Sequence, residues 1–332
     1  MAWNARFAGT GRTSPGGARS RAAPIGPITK GCTATAETGG GEARDVKVLV
    51  TGSRGMLGTD LTEILGYRHA VVGVDIDEMD ITNRQAVAER IGFWMPDVVI
   101  HTAAFTDVDG SERKPEVAHK VNAEGAENVA LACRAWGAHL IHLSTDYVFD
   151  GRKGAAYSES DPPNPLGVYG KSKLEGEQRA RRACPEVCIV RTAWLYGRAG
   201  KNFVQAILAQ ARPGAVIRVV NDQRGSPTYT RDLARALQVL AEKRLAGIYH
   251  VTNAGACTWF EFAEKILELS GRGDVRVAPV STEEFGRPAP RPANSVLDGS
   301  KFHRDTGVIM RDWKEALQAY LLSPPAGKEP TT

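Results

Sequence analysis

The sequence predicts an α/β fold built on a doubly wound parallel sheet, with a smaller α/β part toward the C-terminus. Three observations carry this. Short apolar segments alternate with longer helical patterns from residue 46 to about residue 192. Those segments are apolar at consecutive positions, as strands are when helices cover both faces of a sheet. The first of them also runs directly into a glycine-spaced loop, Thr51-Gly52-Ser53-Arg54-Gly55-Met56-Leu57-Gly58, ahead of the first helical pattern.

In chain order, Val46–Val50 reads as a strand, Met56 to about Leu65 as a helix and Val71–Asp75 as a second strand. Asn83–Ile91 reads as a helix that Thr82 can cap. Asp97–His101 is a third strand, Val117–Trp136 a long helix and Ala138–Ser144 a fourth strand. Tyr169 to about Arg182 is helical, and Cys188–Thr192 is a fifth strand. After Trp194 glycine, proline, arginine and asparagine become frequent and the alternation loosens. Helices are expected at Asn202–Ala211, Thr230–Glu242, Thr258–Ser270 and Asp312–Leu322, and Phe285–Pro292 is expected to be irregular. Gly247–Val251 looks like a strand returning to the main sheet. The expected organisation is a dinucleotide-binding region over 46–193 with returns near 226–252, and a mainly substrate-binding region over 194–325. Residues 1–45 lack periodic apolar positions and cannot offset their ordering entropy. They are expected to be a disordered tail or an over-extended start.

Composition excludes several classes. The 42 basic residues exceed the 38 acidic ones by four. Arg6, Arg12, Arg19, Arg21 and Lys30 all precede the first acid, Glu37, so the rest of the chain is near neutral and nucleic acid is not an expected partner. No apolar run approaches the ~18 residues of a membrane span, and no secretory signal is visible. The five cysteines (Cys32, Cys133, Cys184, Cys188 and Cys257) form no C-x-x-C pair, which suggests reduced thiols and a cytoplasmic protein. His139 and His142, three apart on a strand, point to opposite faces and do not suggest a metal site. Trp94, Trp136, Trp259 and Trp313 read as core residues in preference to interface ones.

The glycine loop carries the first chemistry. Gly52, Gly55 and Gly58 between a strand and a helix allow a tight turn, close approach to a pyrophosphate and close helix packing, the Rossmann arrangement. The helix N-terminus offers unpaired N–H groups and partial positive charge to phosphates. Asp75, ending the second strand, stands where a carboxylate accepts hydrogen bonds from the adenosine ribose. That acid favours NADH, whereas Arg54 can pair with a 2′-phosphate. The cofactor is therefore NADPH or NADH.

Tyr169-Gly-Lys-Ser-Lys173 is the second constellation. Tyr169 and Lys173, four apart, share one helix face. A free phenol titrates near pH 10, and an adjacent ammonium is expected to lower it by stabilising tyrosinate. The loop Ser144-Thr145-Asp146-Tyr147-Val148-Phe149 leaves the carboxyl end of the fourth strand, where open α/β sheets bind ligands. Thr145 can bond the reacting carbonyl or the Tyr169 hydroxyl, and Asp146 can accept from sugar hydroxyls.

Together these residues resemble the extended short-chain dehydrogenase/reductase superfamily, and most nearly its dTDP-4-dehydrorhamnose reductase family. The resemblance runs from about Val46 to Leu322. It also rests on Arg191-Thr192-Ala193-Trp194-Leu195-Tyr196, on Asn221 through Thr228, and on Arg291-Pro292-Ala293-Asn294-Ser295. It implies Tyr169 as catalytic acid with Lys173 as its partner and Thr145 beside them. Thr145 and Asp146 would touch a 4-keto-6-deoxy sugar of a dTDP substrate, and Trp194 would pack on it. Gly55, Met56 and Leu57 would line the cofactor pyrophosphate, Asp75 the ribose, and Ala103, Ala104 and Phe105 the cofactor's border. The superfamily's 4,6-dehydratases carry Thr-Asp-Glu in the fourth-strand loop. Tyr147 stands at the glutamate position here, which argues for simple reduction. Some members bind magnesium at a dimer contact through a glutamate just after the glycine loop. This chain has Asp60 there, so no metal is carried over. A monomer or homodimer is expected. The alternative readings are a sugar-nucleotide 4-epimerase and the non-catalytic regulatory subunit of methionine adenosyltransferase, which shares this fold.

Overall fold

The computed structural model describes residues 46–323. The first half follows the alternation: β1 (Lys47–Thr51), α1 (Met56–Gly66), β2 (Ala70–Val74), α2 (Arg84–Trp94) and β3 (Val98–His101). Two short helices, α3 (Val108–Arg113) and α4 (Pro115–His119), lead through a π-turn at Lys120–Glu124 into α5 (Gly125–Trp136). There follow β4 (His139–Thr145), α6 (Val168–Ala183) and β5 (Cys188–Thr192). The cap of α2 is Asn83, whose side chain accepts from the Gln85 and Ala86 N–H groups, and not Thr82. The long helix expected over Val117–Trp136 is thus interrupted, and the interruption has a function described below.

The second half contributes β6 (Leu195–Tyr196), α7 (Phe203–Gln210), β7 (Val216–Val220), β8 (Arg224–Gly225) and β9 (Thr228–Tyr229). It continues with α8 (Thr230–Lys243), β10 (Gly247–His250), β11 (Cys257–Thr258), α9 (Trp259–Leu269) and β12 (Arg276–Val280). The last elements are α10 (Thr282–Phe285), α11 (Ser300–Thr306) and α12 (Trp313–Leu322). The main sheet is parallel, in the order β10-β5-β4-β3-β1-β2. The order in which strands are added reverses between β1 and β3, the crevice where such sheets bind ligands.

The strands explain the two helical layers. Val48 and Val50 of β1 join a core with α1 and α8, while Leu49, pointing the other way, joins a core with α2, α5 and α6. A third core, around Tyr196, Phe262 and Trp313, binds α7, α9 and α12 to β7 and β12. Residue 193 is not a break in packing. β10 pairs with β5, α8 packs on α1, and the described residues form one compact unit. Trp313 is buried, but Trp94 and Trp136, expected in the core, are 39% and 52% exposed. They end α2 and α5, and the Trp136 ring lies over Gly92 on the outer surface. Among the described residues, no helix is long and apolar enough to cross a membrane.

Candidate active site

The carboxyl ends of β1, β3, β4 and β5 open into one elongated cavity of about 810 Å³. At one end lies the glycine loop. Gly52 adopts φ +69, a left-handed conformation that favours glycine, and its carbonyl accepts the Gly55 N–H at 3.0 Å to close the turn. Gly58 packs so tightly that an added Cβ would lie 2.1 Å from the Gly52 carbonyl oxygen. Helix α1 starts at Met56 with no side-chain cap and no acid in its first turn, so its leading N–H groups face the cavity as a phosphate site requires. These features fit a dinucleotide pyrophosphate.

Asp75 lines the same end. Its carboxylate accepts the backbone N–H groups of Arg54 (3.0 Å) and Ile76 (2.9 Å), which fixes it at the cavity wall. The Arg54 guanidinium pairs with Asp77 at 2.8 Å and with Glu78 at 3.4 Å. It is therefore already engaged in exposed, weak ion pairs that a 2′-phosphate must compete with. Ala103 and Ala104 line the cavity, but Phe105 does not. Its N–H and carbonyl are held by the Asn122 side chain at 2.8 and 3.1 Å, which turns the loop after β3 away at that residue.

At the centre, Thr145, Asp146, Tyr169 and Lys173 come together. Thr145 ends β4, donates to Asp146 Oδ1 at 2.9 Å, accepts the Tyr147 N–H at 3.2 Å and lies within hydrogen-bonding reach of the Tyr169 phenol. Asp146 is 3% exposed, and beside Thr145 the Ser295 side chain lies within hydrogen-bonding reach of its carboxylate. Burial pushes this carboxyl up to about 6. Lys173 is 4% exposed, and its ammonium donates to the Leu143 carbonyl at 2.6 Å.

The expected lowering of the Tyr169 phenol is not what the structure gives. Burial and the Asp146 carboxylate push it up to about 12, and Lys173, tied to Leu143, does not offset them. Burial pulls Lys173 down to about 8. Tyr169 is therefore a protonated phenol at neutral pH.

Trp194 borders the far end. It has φ +48 and its ring lies against Gly225, where a Cβ would come within 2.4 Å of the indole. Its other neighbour is Trp259, stacked at 3.5 Å and 6° and also lining the cavity. Trp259 was expected in the core. It opens α9, and β8–β11 pairing brings it back to Trp194. Behind Trp194, the stretches Asn221–Thr228 and Arg291–Ser295 are tied to each other. The Arg224 N–H donates to Ala293 O and the Ser295 N–H to Arg224 O, both at 2.8 Å.

Sequence reasoning missed Asn122, which sits in the π-turn and bonds Ser172 at 3.0 Å as well as Phe105. It ties the loop after β3 to the helix carrying Tyr169. An asparagine facing the core of an otherwise apolar helical pattern was the available signal. Tyr147 meets Tyr169 edge-on at 5.7 Å, and Arg291, itself paired with Asp109 at 3.0 Å, lies within reach of the Tyr147 hydroxyl.

A family model described as the RmlD substrate binding domain matches residues 46–323. The chain belongs to the RmlD substrate binding domain family. Among curated RmlD relatives, the spore coat polysaccharide biosynthesis protein SpsK of Bacillus subtilis is 44% identical, over 83% of this chain and 96% of its own. The dTDP-4-dehydrorhamnose reductase of Streptomyces griseus is 43% identical, over 81% and 91%. A crystal structure of dTDP-4-dehydrorhamnose reductase from Bacillus anthracis in complex with NADP superposes with a TM-score of 0.82 at 40% identity, covering 84% of this chain and 99% of that one.

The RmlD fold here offers no fitting place for magnesium at Asp60. That residue is 1% exposed, accepts the Thr230 hydroxyl at 2.5 Å and lies beside Arg198 (3.4 Å) and Arg231 (3.7 Å). Two guanidinium groups already supply the positive charge that a cation would bring, and would repel it.

Proposed function

We propose that this chain reduces the C4 ketone of dTDP-4-dehydro-L-rhamnose with NAD(P)H, giving dTDP-L-rhamnose for cell-surface polysaccharide synthesis. The observation that carries this reading is the convergence of Thr145, Tyr169 and Lys173 midway along a cavity whose one end is a dinucleotide loop. The relatives' shared activity supports it.

A bound reduced nicotinamide supplies the hydride. Tyr169 donates its phenolic proton to the ketone oxygen as that oxygen gains charge, and Thr145 holds the same oxygen in line. Lys173, the cation one helical turn from Tyr169, would hold the cofactor ribose. Asp146, in the cavity wall, holds the Thr145 hydroxyl in place and, with it, the sugar against the hydride donor. The aromatic wall of Trp194 and Trp259 suits a deoxy sugar's apolar edge. Tyr147, raised by burial and within reach of Arg291, offers no base for the elimination that a dehydratase requires.

We place the protein in the cytoplasm, as a monomer or homodimer. The unpaired state of Cys133, Cys184, Cys188 and Cys257 supports a reducing compartment. Purified protein given NADPH and dTDP-4-keto-6-deoxy-L-mannose is expected to consume the reduced cofactor, followed by loss of absorbance, at one equivalent per sugar. A 4-epimerase would change the sugar without net consumption. A regulatory subunit would do neither.

A further inference from the structure

One buried group in the site is not used by this mechanism. Glu177 lies on α6 one turn beyond Lys173 and is 2% exposed. Its carboxylate accepts Arg191 Nε at 2.9 Å and Nη2 at 2.7 Å, and its Oε1 also accepts Ser144 Oγ at 2.5 Å. Arg191 is among the largest fully buried side chains, and its guanidinium lies over the Phe149 ring at 5.2 Å. Ser144 immediately precedes Thr145, and Arg191 precedes Thr192, the β5 partner of Thr145 in register. The network therefore joins the ends of β4 and β5 to the helix that carries Tyr169 and Lys173.

A buried ion pair is a poor source of stability, because desolvation consumes what attraction gains. Its placement suggests another use, since Glu177 puts a carboxylate near two buried cations, Lys173 and Arg191. The remaining titratable groups around Lys173 do not supply this charge. His101 from β3 and His142 from β4 stack at 5.2 Å beneath it, and burial keeps both imidazoles neutral. Tyr169 is a protonated phenol, and Asp146 is engaged by Thr145 on the cavity side.

The geometry points to Glu177 as the positioning residue that keeps Lys173 cationic and seats its helix against Thr145. This inference rests on the role assigned to Lys173 above. The test compares Glu177→Gln with wild type at about pH 6 and about pH 8, reading turnover and, separately, NADPH binding by fluorescence titration. Burial already pulls the Lys173 ammonium down to about 8, and Glu177 opposes that. Without the carboxylate the cation is lost at lower pH, so the variant is expected to lose about tenfold or more at the higher pH and less than about threefold at the lower. NADPH affinity should fall in the same direction. If the wild type fails to reduce the keto sugar, the functional reading fails, and the NADPH titration still reads Glu177. The double variant Glu177→Leu/Arg191→Met, an apolar replacement of a kind that commonly folds, removes the carboxylate and a like-charged neighbour of Lys173 together and should show a smaller alkaline loss than Glu177→Gln. Equal losses at both pH values, no loss at either, or an alkaline loss in the folded double variant larger than that of Glu177→Gln would each overturn the assignment.

Discussion

Tyr169→Phe is expected to lower kcat by about 10²–10⁴-fold while NAD(P)H still binds. The phenol carries a transferable proton at the cavity centre, within hydrogen-bonding reach of Thr145. Burial and Asp146 hold its titration at about 12, so it is protonated at every pH where the enzyme is expected to work. The ring itself remains in the variant, and its edge-on contact with Tyr147 at 5.7 Å survives loss of the hydroxyl. Cofactor affinity, measured by NADPH fluorescence, should therefore change little. The ketone then takes up hydride without a placed acid, and the remaining rate reflects positioning alone. A variant with near-normal kcat would remove Tyr169 from the role of proton donor.

Gly58→Ala is expected to cost about 1–3 kcal/mol of stability and to weaken NADPH binding at least about tenfold. The new methyl would lie 2.1 Å from the Gly52 carbonyl oxygen and 2.7 Å from the Ser53 Cα. Both are backbone atoms of the pyrophosphate loop, so no side chain can rotate aside. Either α1 moves off the sheet or the loop opens, and both outcomes spoil the N–H groups that face the phosphates. Gly66, at the other end of the same helix, is the control. An added Cβ there meets nothing within 4 Å, so Gly66→Ala should be neutral or slightly stabilising. Thermal unfolding and NADPH titration of the two variants check this. Equal behaviour would mean that the loop tolerates what its geometry forbids.

The residues that the sequence shows plainly are those whose chemistry depends on local spacing. The glycine loop needs three glycines between a strand and a helix, and Tyr169 and Lys173 need four-residue spacing on one helix. The consecutive apolar runs of β1, β3, β4 and β5 need nothing from the rest of the chain to be recognised. What was not legible depends on long-range pairing. Trp259 reaches the cavity only because Cys257–Thr258 pairs with Arg224–Gly225, so its place looked like core. Phe105 follows two lining alanines in sequence, yet Asn122, 17 residues away, draws it out of the lining. The π-turn that frees Asn122 to do so is a single turn inside a helical pattern, with no glycine or proline to mark it in the sequence. The protonation of Tyr169 was misjudged for the same reason. Spacing places an ammonium nearby, but only the fold shows it donating to Leu143.

The most direct test of the central claim follows hydrogen itself. Protein incubated with dTDP-4-keto-6-deoxy-L-mannose and NADPH deuterated at both C4 positions should yield a deoxy sugar nucleotide with one deuterium at its C4 and one oxidised cofactor per sugar, as read by mass spectrometry and NMR. A sugar altered without deuterium and without oxidised cofactor, or a sugar left unchanged, would contradict it.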